Sequence, residues 1–93
     1  MTEFEWDDNK AESNRIKDGV AFSDALTVFG DRSALTFFDK AHSEHEDRFL
    51  TIGESASGKL LSVCHTDRPG ATRLISAGPA SRRERQVYVD AGE

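Results

Sequence analysis

Three runs decide the fold class: Arg48-Phe-Leu-Thr-Ile-Gly53, Lys59-Leu-Leu-Ser-Val-Cys-His-Thr66 and Thr72-Arg-Leu-Ile-Ser-Ala77. Each is rich in residues that suit a pleated, half-buried surface, and each has strand length. Between them lie Ser55-Ala56-Ser57-Gly58 and Asp67-Arg68-Pro69-Gly70, two clusters of turn-forming residues. Links this short cannot carry a parallel crossover, so the three strands must be antiparallel neighbours. Upstream, Ala34-Leu35-Thr36-Phe37-Phe38 reads as a fourth strand, separated by residues 39–47, which are strongly polar and read as a loop. The expectation is an antiparallel four-stranded meander.

Outward from the meander the pattern turns helical. Glu3-Phe4-Glu5-Trp6 alternates like a short half-buried strand. Asp7 suits a helix N-cap, and Asp8 falls in the first turn, where the helix dipole favours anions. This helix is expected to reach about Lys17 and stop at Gly19, with Ala11 and Ile16 as its core residues. Ser23 reads as the next N-cap, followed by Ala25, Leu26, Val28 and Phe29. With Val20 and Phe22 ahead of it, this second helix is short and core-facing, and ends at Gly30-Asp31. Pro79 suits the first position of a closing helix that runs to about Tyr88. A short N-terminal strand, two N-terminal helices, the meander and a C-terminal helix make an α+β protein. At 93 residues the chain is expected to be one domain over 1–93, without room for a second core.

Composition narrows the function. Hydrophobic residues make up 37% and charged residues 31%, which argues against disorder along the whole chain. The apolar runs are too short for a membrane span, and the single cysteine, Cys64, cannot form an internal disulfide, so a cytoplasmic protein is the default. The formal net charge of −5 disfavours nonspecific coating of nucleic acid. That total is unevenly spread: residues 1–31 carry a net −5, whereas residues 67–88 carry a net +3 from five arginines against Asp67 and Glu84. A basic C-terminal segment is compatible with an anion site or with a patch for an acidic partner.

The densest chemistry lies between Arg73 and Arg85. By simple alternation Arg73 and Ile75 share one face of their strand, while Leu74 and Ser76 share the other. Ser76 is expected just ahead of the closing helix, where exposed N–H groups, a hydroxyl and arginines together hold a phosphate. The plainer reading makes Arg82, Arg83 and Arg85 a solvated helix surface screened by Glu84. His42-Ser43-Glu44-His45-Glu46 offers two imidazoles three residues apart, which on a helix could serve a metal, but a solvated acidic loop is the better reading and no metal or cofactor is expected. Cys64 reads as a buried structural thiol and His65 as a packed or surface strand residue. No Ser-His-Asp order, P-loop or dinucleotide fingerprint is present.

Phe4-Glu5-Trp6-Asp7 with Lys10 and Asn14, then Lys17-Asp18-Gly19-Val20, Phe22, Ala25 and Val28-Phe29, resemble the N-terminal half of BrnT toxins. Glu46…Arg48, Arg73-Leu74-Ile75-Ser76-Ala77, Pro79-Ala80-Ser81 and Arg83-Glu84 resemble the C-terminal half, so the likeness covers about residues 4–88. It implies a RelE-like α+β fold, a ribonuclease that cleaves RNA and stops translation, and a BrnA-like ribbon-helix-helix antitoxin. Operator DNA would be reached only through that antitoxin. It also implies catalytic candidates by position: Lys17, Arg48, Arg73, Ser76 and Arg83. Arginine suits the role because its fixed donors match phosphate oxygens. Two positions depart from the family pattern: Asp18 stands where histidine is usual, and Gly78 where arginine is usual. The resemblance therefore implies a weakened or inactive toxin, with a non-catalytic antitoxin-binding corepressor as the alternative.

Overall fold

A computed structural model of the chain describes residues 3–92. Strand β1 (Glu3–Glu5) leads into helix α1 (Asp8–Asp18), then helix α2 (Phe22–Ala25), which tightens into a 3-10 turn over Leu26–Gly30. Strands β2 (Leu35–Phe38), β3 (Phe49–Glu54), β4 (Leu60–Arg68) and β5 (Ala71–Pro79) follow, and helix α3 (Arg82–Ala91) closes the chain. The sheet order is β1-β5-β4-β3-β2. Strands β2 to β5 pair antiparallel with their chain neighbours, and β1 adds in parallel on the far side of β5. The sheet is therefore five-stranded and mixed rather than an antiparallel four-stranded meander alone. Chain reversal through α1, α2 and the meander brings β5 back beside β1, the long route that a parallel pair needs.

Local chemistry explains most element ends. The Asp7 carboxylate accepts from Asn9 N–H at 2.8 Å and Lys10 N–H at 3.2 Å, which caps α1. Gly19 stops it with φ +71°, a conformation that costs glycine little. Three expectations give way. Helix α2 has its N-cap at Ala21, two residues ahead of the expected Ser23, which places buried Phe22 in its first turn. Pro79 ends β5 instead of opening α3, since the strand pairs with β4 as far as Leu61. Helix α3 instead begins behind Ser81, whose hydroxyl accepts from Glu84 N–H while the Glu84 carboxylate accepts from Ser81 N–H.

The core lies between one sheet face and the N-terminal helices. Val20, Phe22, Ala25 and Val28 pack against Leu61, Val63, Leu74 and Ala77. Gly53 marks the closest approach, because a Cβ there would lie 3.1 Å from the Cβ atoms of both Val28 and Ala34. Ile16, expected in the core, is 71% exposed; the inward face of α1 is Ala11 and Asn14 instead. Asn14 is buried because it hydrogen-bonds backbone. Its Oδ1 accepts from Ala77 N–H at 3.0 Å, and its Nδ2 donates to Ala77 C=O at 2.8 Å and Val20 C=O at 2.9 Å. Strand β1 pairs only with Ala71 to Arg73, so this side chain completes the edge of β5 farther along.

A second buried polar chain crosses the core face. His65, 2% exposed, lies between Phe29 and Phe49. Its Nδ1 is 3.0 Å from an Asp67 carboxylate oxygen and its Nε2 is 2.8 Å from Thr51 Oγ1, which is 2.8 Å from Thr36 Oγ1. A neutral ring donates from Nδ1 to the carboxylate and accepts at Nε2, so the hydroxyls donate in sequence toward it. Desolvation holds the His65 pKa below its ordinary value, against the smaller pull of Asp67.

Two predictions follow from these networks. Asn14→Ala leaves three buried backbone groups without partners and is expected to cost about 3–5 kcal/mol in urea denaturation, since each such group costs roughly 1–3. The unfolded chain takes up a proton at His65 near pH 6.5, and the folded chain takes it up only at lower pH. Stability therefore falls as pH drops below 6.5, and denaturation midpoints at pH 7.5 and 5 are expected to differ by less in His65→Gln than in the parent.

Candidate functional site

A single irregularity in β5 builds the site. Cys64 pairs with Ser76, but the next residue, His65, pairs with Leu74, leaving Ile75 as an extra residue in β5. Such a bulge shifts the side-chain alternation by one. Leu74 and Ala77 thus both face the core, opposite His65 and Val63. Arg73, opposite Thr66, and Ser76, opposite Cys64, share the other face of the sheet. The expected alternation placed these two residues on opposite faces, and the bulge corrects it.

Register extends that outer face across the sheet. Phe37, Leu50, Cys64 and Ser76 form one row, each the cross-strand partner of the next. Helix α3 occupies the end nearer its start, where Ser62 on the outer face donates to Glu84 at 3.1 Å. Glu84 is thus bound to Ser62 and Ser81. Arg83 is exposed on α3, and the structure records no contact bringing it to Arg73 or Ser76. Ser76 lies inside β5, five residues ahead of the α3 N-cap Ser81, where the capping box engages the N–H groups of Ser81 and Glu84.

At the β5 edge, α1 contributes cations. Lys10, Ser13, Asn14 and Lys17 line a shallow groove of about 300 Å³ with Asp18, Ile75 and Ser76. Lys17 and Ser76 line it together; Lys10 joins them, although the sequence reading noted it only for the family likeness and not as a site candidate. Its spacing supplied the signal: Lys10, Ser13 and Lys17 lie three and four residues apart, on one helix face. On the other flank, Arg48 precedes β3, and its charge reaches Cys64. Cys64 is half-buried rather than buried, and burial pushes its thiol pKa up against the influence of Arg48.

Glu46 is the second residue absent from the sequence candidates. Its carboxylate lies between two guanidiniums, 3.9 Å from Arg48 Nε and 3.9 Å from Arg68 Nη2, and Arg68 also meets Glu5 at 3.4 Å. These are loose ion pairs that leave donors available. Arg48 Nε is buried and makes no hydrogen bond. The arrangement offers one carboxylate as a proton acceptor and several cations for a phosphate, the groups that general acid–base cleavage of a phosphodiester requires.

Asp18 and Gly78 also meet. A Cβ built on Gly78 would lie 3.9 Å from both Cβ and Cγ of Asp18, and the glycine does not adopt a left-handed backbone. His42 and His45 do not form a metal centre: His42 Nδ1 is bonded to Asp39 at 2.8 Å, and among the described residues no group of three His, Cys, Asp or Glu side chains converges. Among the described residues, no helix is long and apolar enough to cross a membrane.

Comparison with known proteins finds the same fold. The 1.1 Å crystal structure of the Brucella abortus ribonuclease toxin BrnT superposes with a TM-score of 0.69 at 28% sequence identity, covering 88% of this chain and all of that one. No curated protein sequence matches the chain. The family model described as the ribonuclease toxin, BrnT, of type II toxin-antitoxin systems matches residues 6–84, so the chain belongs to the BrnT family.

Proposed function

We propose that this chain is the toxin of a type II pair, in a RelE-like arrangement, and that its outer sheet face beside α1 is where RNA is cleaved. The observation that carries this reading is the Ile75 bulge, which sets Arg73 and Ser76 on one face, beside the groove of Lys10 and Lys17. In the proposed reaction Glu46 takes the proton from a ribose 2′-hydroxyl, and the freed oxygen bonds the adjacent phosphorus. The bond to the 5′-oxygen breaks, and Lys17 returns a proton to that leaving oxygen. Arg48 and Arg73 stabilise the extra negative charge on the phosphorus centre, and Ser76 positions the phosphate. Arg83 contributes only long-range attraction from α3. No metal or other cofactor takes part in this scheme. The partner is a BrnA-like ribbon-helix-helix antitoxin, through which operator DNA is reached.

Cleavage is weakened in this sequence. Asp18 puts a carboxylate at the groove that RNA phosphates must enter, and Gly78 presents no side chain opposite it. Losing one well-placed cationic or hydrogen-bonding donor typically costs about 10²–10³ in rate. The juxtaposition of the two positions also favours a second reading, a non-catalytic corepressor that binds antitoxin and no longer cuts RNA.

The deciding experiment compares RNA cleavage by the purified chain, free of antitoxin, with the Asp18→His, Gly78→Arg double variant. A gain of about 100-fold or more in the variant is expected. The variant is sterically compatible, since a Cβ at position 78 meets only ordinary contacts. Equal cleavage by both removes the case for impairment. Silence from both, with an antitoxin complex still formed, establishes the corepressor reading instead. Glu46→Gln in the active form is expected to abolish cleavage while leaving the denaturation midpoint nearly unchanged, because its ion pairs are long and exposed.

A further inference from the structure

The outer row ends in an aromatic ring. Phe37 is 45% exposed, and it lies on β2, the sheet's outermost strand on that side. Its register partner is Leu50, whose partner is Cys64, whose partner is Ser76. Adjacent strands lie about 4.8 Å apart, so Phe37 stands roughly 14 Å from Ser76 along this row. Leu50 and Cys64 between them are only half-buried. The neighbouring aromatic, Phe38, belongs to the opposite face, where it packs edge-on against Phe49 at 5.7 Å. Among the described residues Phe37 has no aromatic contact of this kind.

We infer that Phe37 is a base-stacking residue and that the row from Phe37 to Ser76 is a platform for single-stranded RNA. This inference rests on the reading of the face as the RNA-cleaving site. The row is flanked by cations at one end, Lys10 and Lys17, and by Arg48 and Arg73 in the adjoining positions, which match a phosphate backbone. A flat sheet surface carrying one exposed ring beside cations accepts an unpaired base on the ring and its phosphates on the cations. A duplex cannot use the ring, because its bases are stacked on each other. At 14 Å from Ser76, the stacked base is a neighbour of the scissile step rather than part of it. Phe37 therefore sets how substrate lies on the face and which flanking base is preferred, and takes no part in proton transfer.

The test is equilibrium binding of a short 2′-O-methyl oligoribonucleotide, which cannot be cut through its 2′-oxygen, carrying a fluorescent 2-aminopurine. Phe37→Leu keeps an apolar residue on the strand and removes the π face; Phe37→Tyr keeps both. The parent chain is expected to bind the single strand, quench the fluorescence on stacking, and bind the matching duplex more weakly. Phe37→Leu is expected to lose roughly 5- to 100-fold in affinity along with the quenching. Phe37→Tyr and Phe38→Ala are expected to stay near the parent value. Parent-like affinity and quenching in Phe37→Leu overturn the stacking role and leave Phe37 as a protein-contact residue. Equal losses in Phe37→Leu and Phe37→Tyr overturn it too, as a structural effect. If the parent binds neither strand nor duplex, the RNA-cleaving reading itself fails, and that result is distinct from the other two.

Discussion

The clamp of Asn14 on Ala77 is the contact on which the rest depends. A three-residue β1 cannot satisfy the edge of a nine-residue β5, and an unpaired strand edge beside the core leaves backbone groups without partners. One amide, presenting an acceptor and a donor side by side, mimics the missing neighbour. Its third bond, to Val20 C=O, fixes the chain as it leaves α1 for the core. Because Asn14 is in the middle of α1, satisfying Ala77 also fixes the helix in height and rotation against β5. Lys10, Ser13 and Lys17 then emerge at Ser76 as a consequence. A hydrophobic residue at position 14 could bury as much surface, but it could not set the helix to one register.

The same clamp shows why some of the molecule was legible in the sequence and some was not. Helix caps, turns and strand order follow from local chemistry, so Asp7, Gly19 and the links around Gly58 and Gly70 read correctly. The core contribution of α1 did not, because hydrophobicity points to Ile16, whereas the side chain that is buried is an amide serving a strand 63 residues away. Pro79 misled for a related reason: its residue preference fits a helix start, but tertiary pairing with Leu61 decided in favour of the strand. The bulge left no mark in an uninterrupted run such as Arg73-Leu-Ile-Ser-Ala77. Alternation counted along one strand cannot find a residue that its partner strand skips. Candidate residues were therefore identifiable by type but not by face, and Glu46 and Lys10, noted only as carriers of the family likeness, joined the candidates once β5 was folded.

A net charge of −5 is reconcilable with a face that attracts RNA. At physiological salt, interactions between exposed charges fade over about 8 Å, so a bound phosphate responds chiefly to its immediate surroundings. On the proposed RNA face those surroundings are Lys10, Lys17, Arg48 and Arg73 together with Asp18 and Glu46, while other acidic residues are engaged elsewhere, as in the Glu12–Arg15 pair and the Asp31 network. Hydrogen bonds from Glu54 and Ser33 N–H and from the Tyr88 hydroxyl hold Asp31 below the usual carboxylate range, which ties α3 to the end of β3 with a charge that stays ionised. Part of the acidic total thus reflects structural carboxylates such as Asp31.

Gly78 decides how closely fold and cleavage are linked. Where glycine is needed for the backbone, as at Gly19 with its positive φ or at Gly53 with its tight contacts, replacing it distorts the protein. Gly78 has neither constraint, so its lack of a side chain is not something the fold requires. The Asn14 clamp lies one residue away at Ala77 and uses backbone atoms only, so it tolerates any residue at position 78 whose side chain clears Asp18. The groups proposed for cleavage at the α1–β5 edge can therefore change without altering the helix placement or the sheet. Such an arrangement lets a toxin lose strength in its reaction while keeping the body that an antitoxin holds.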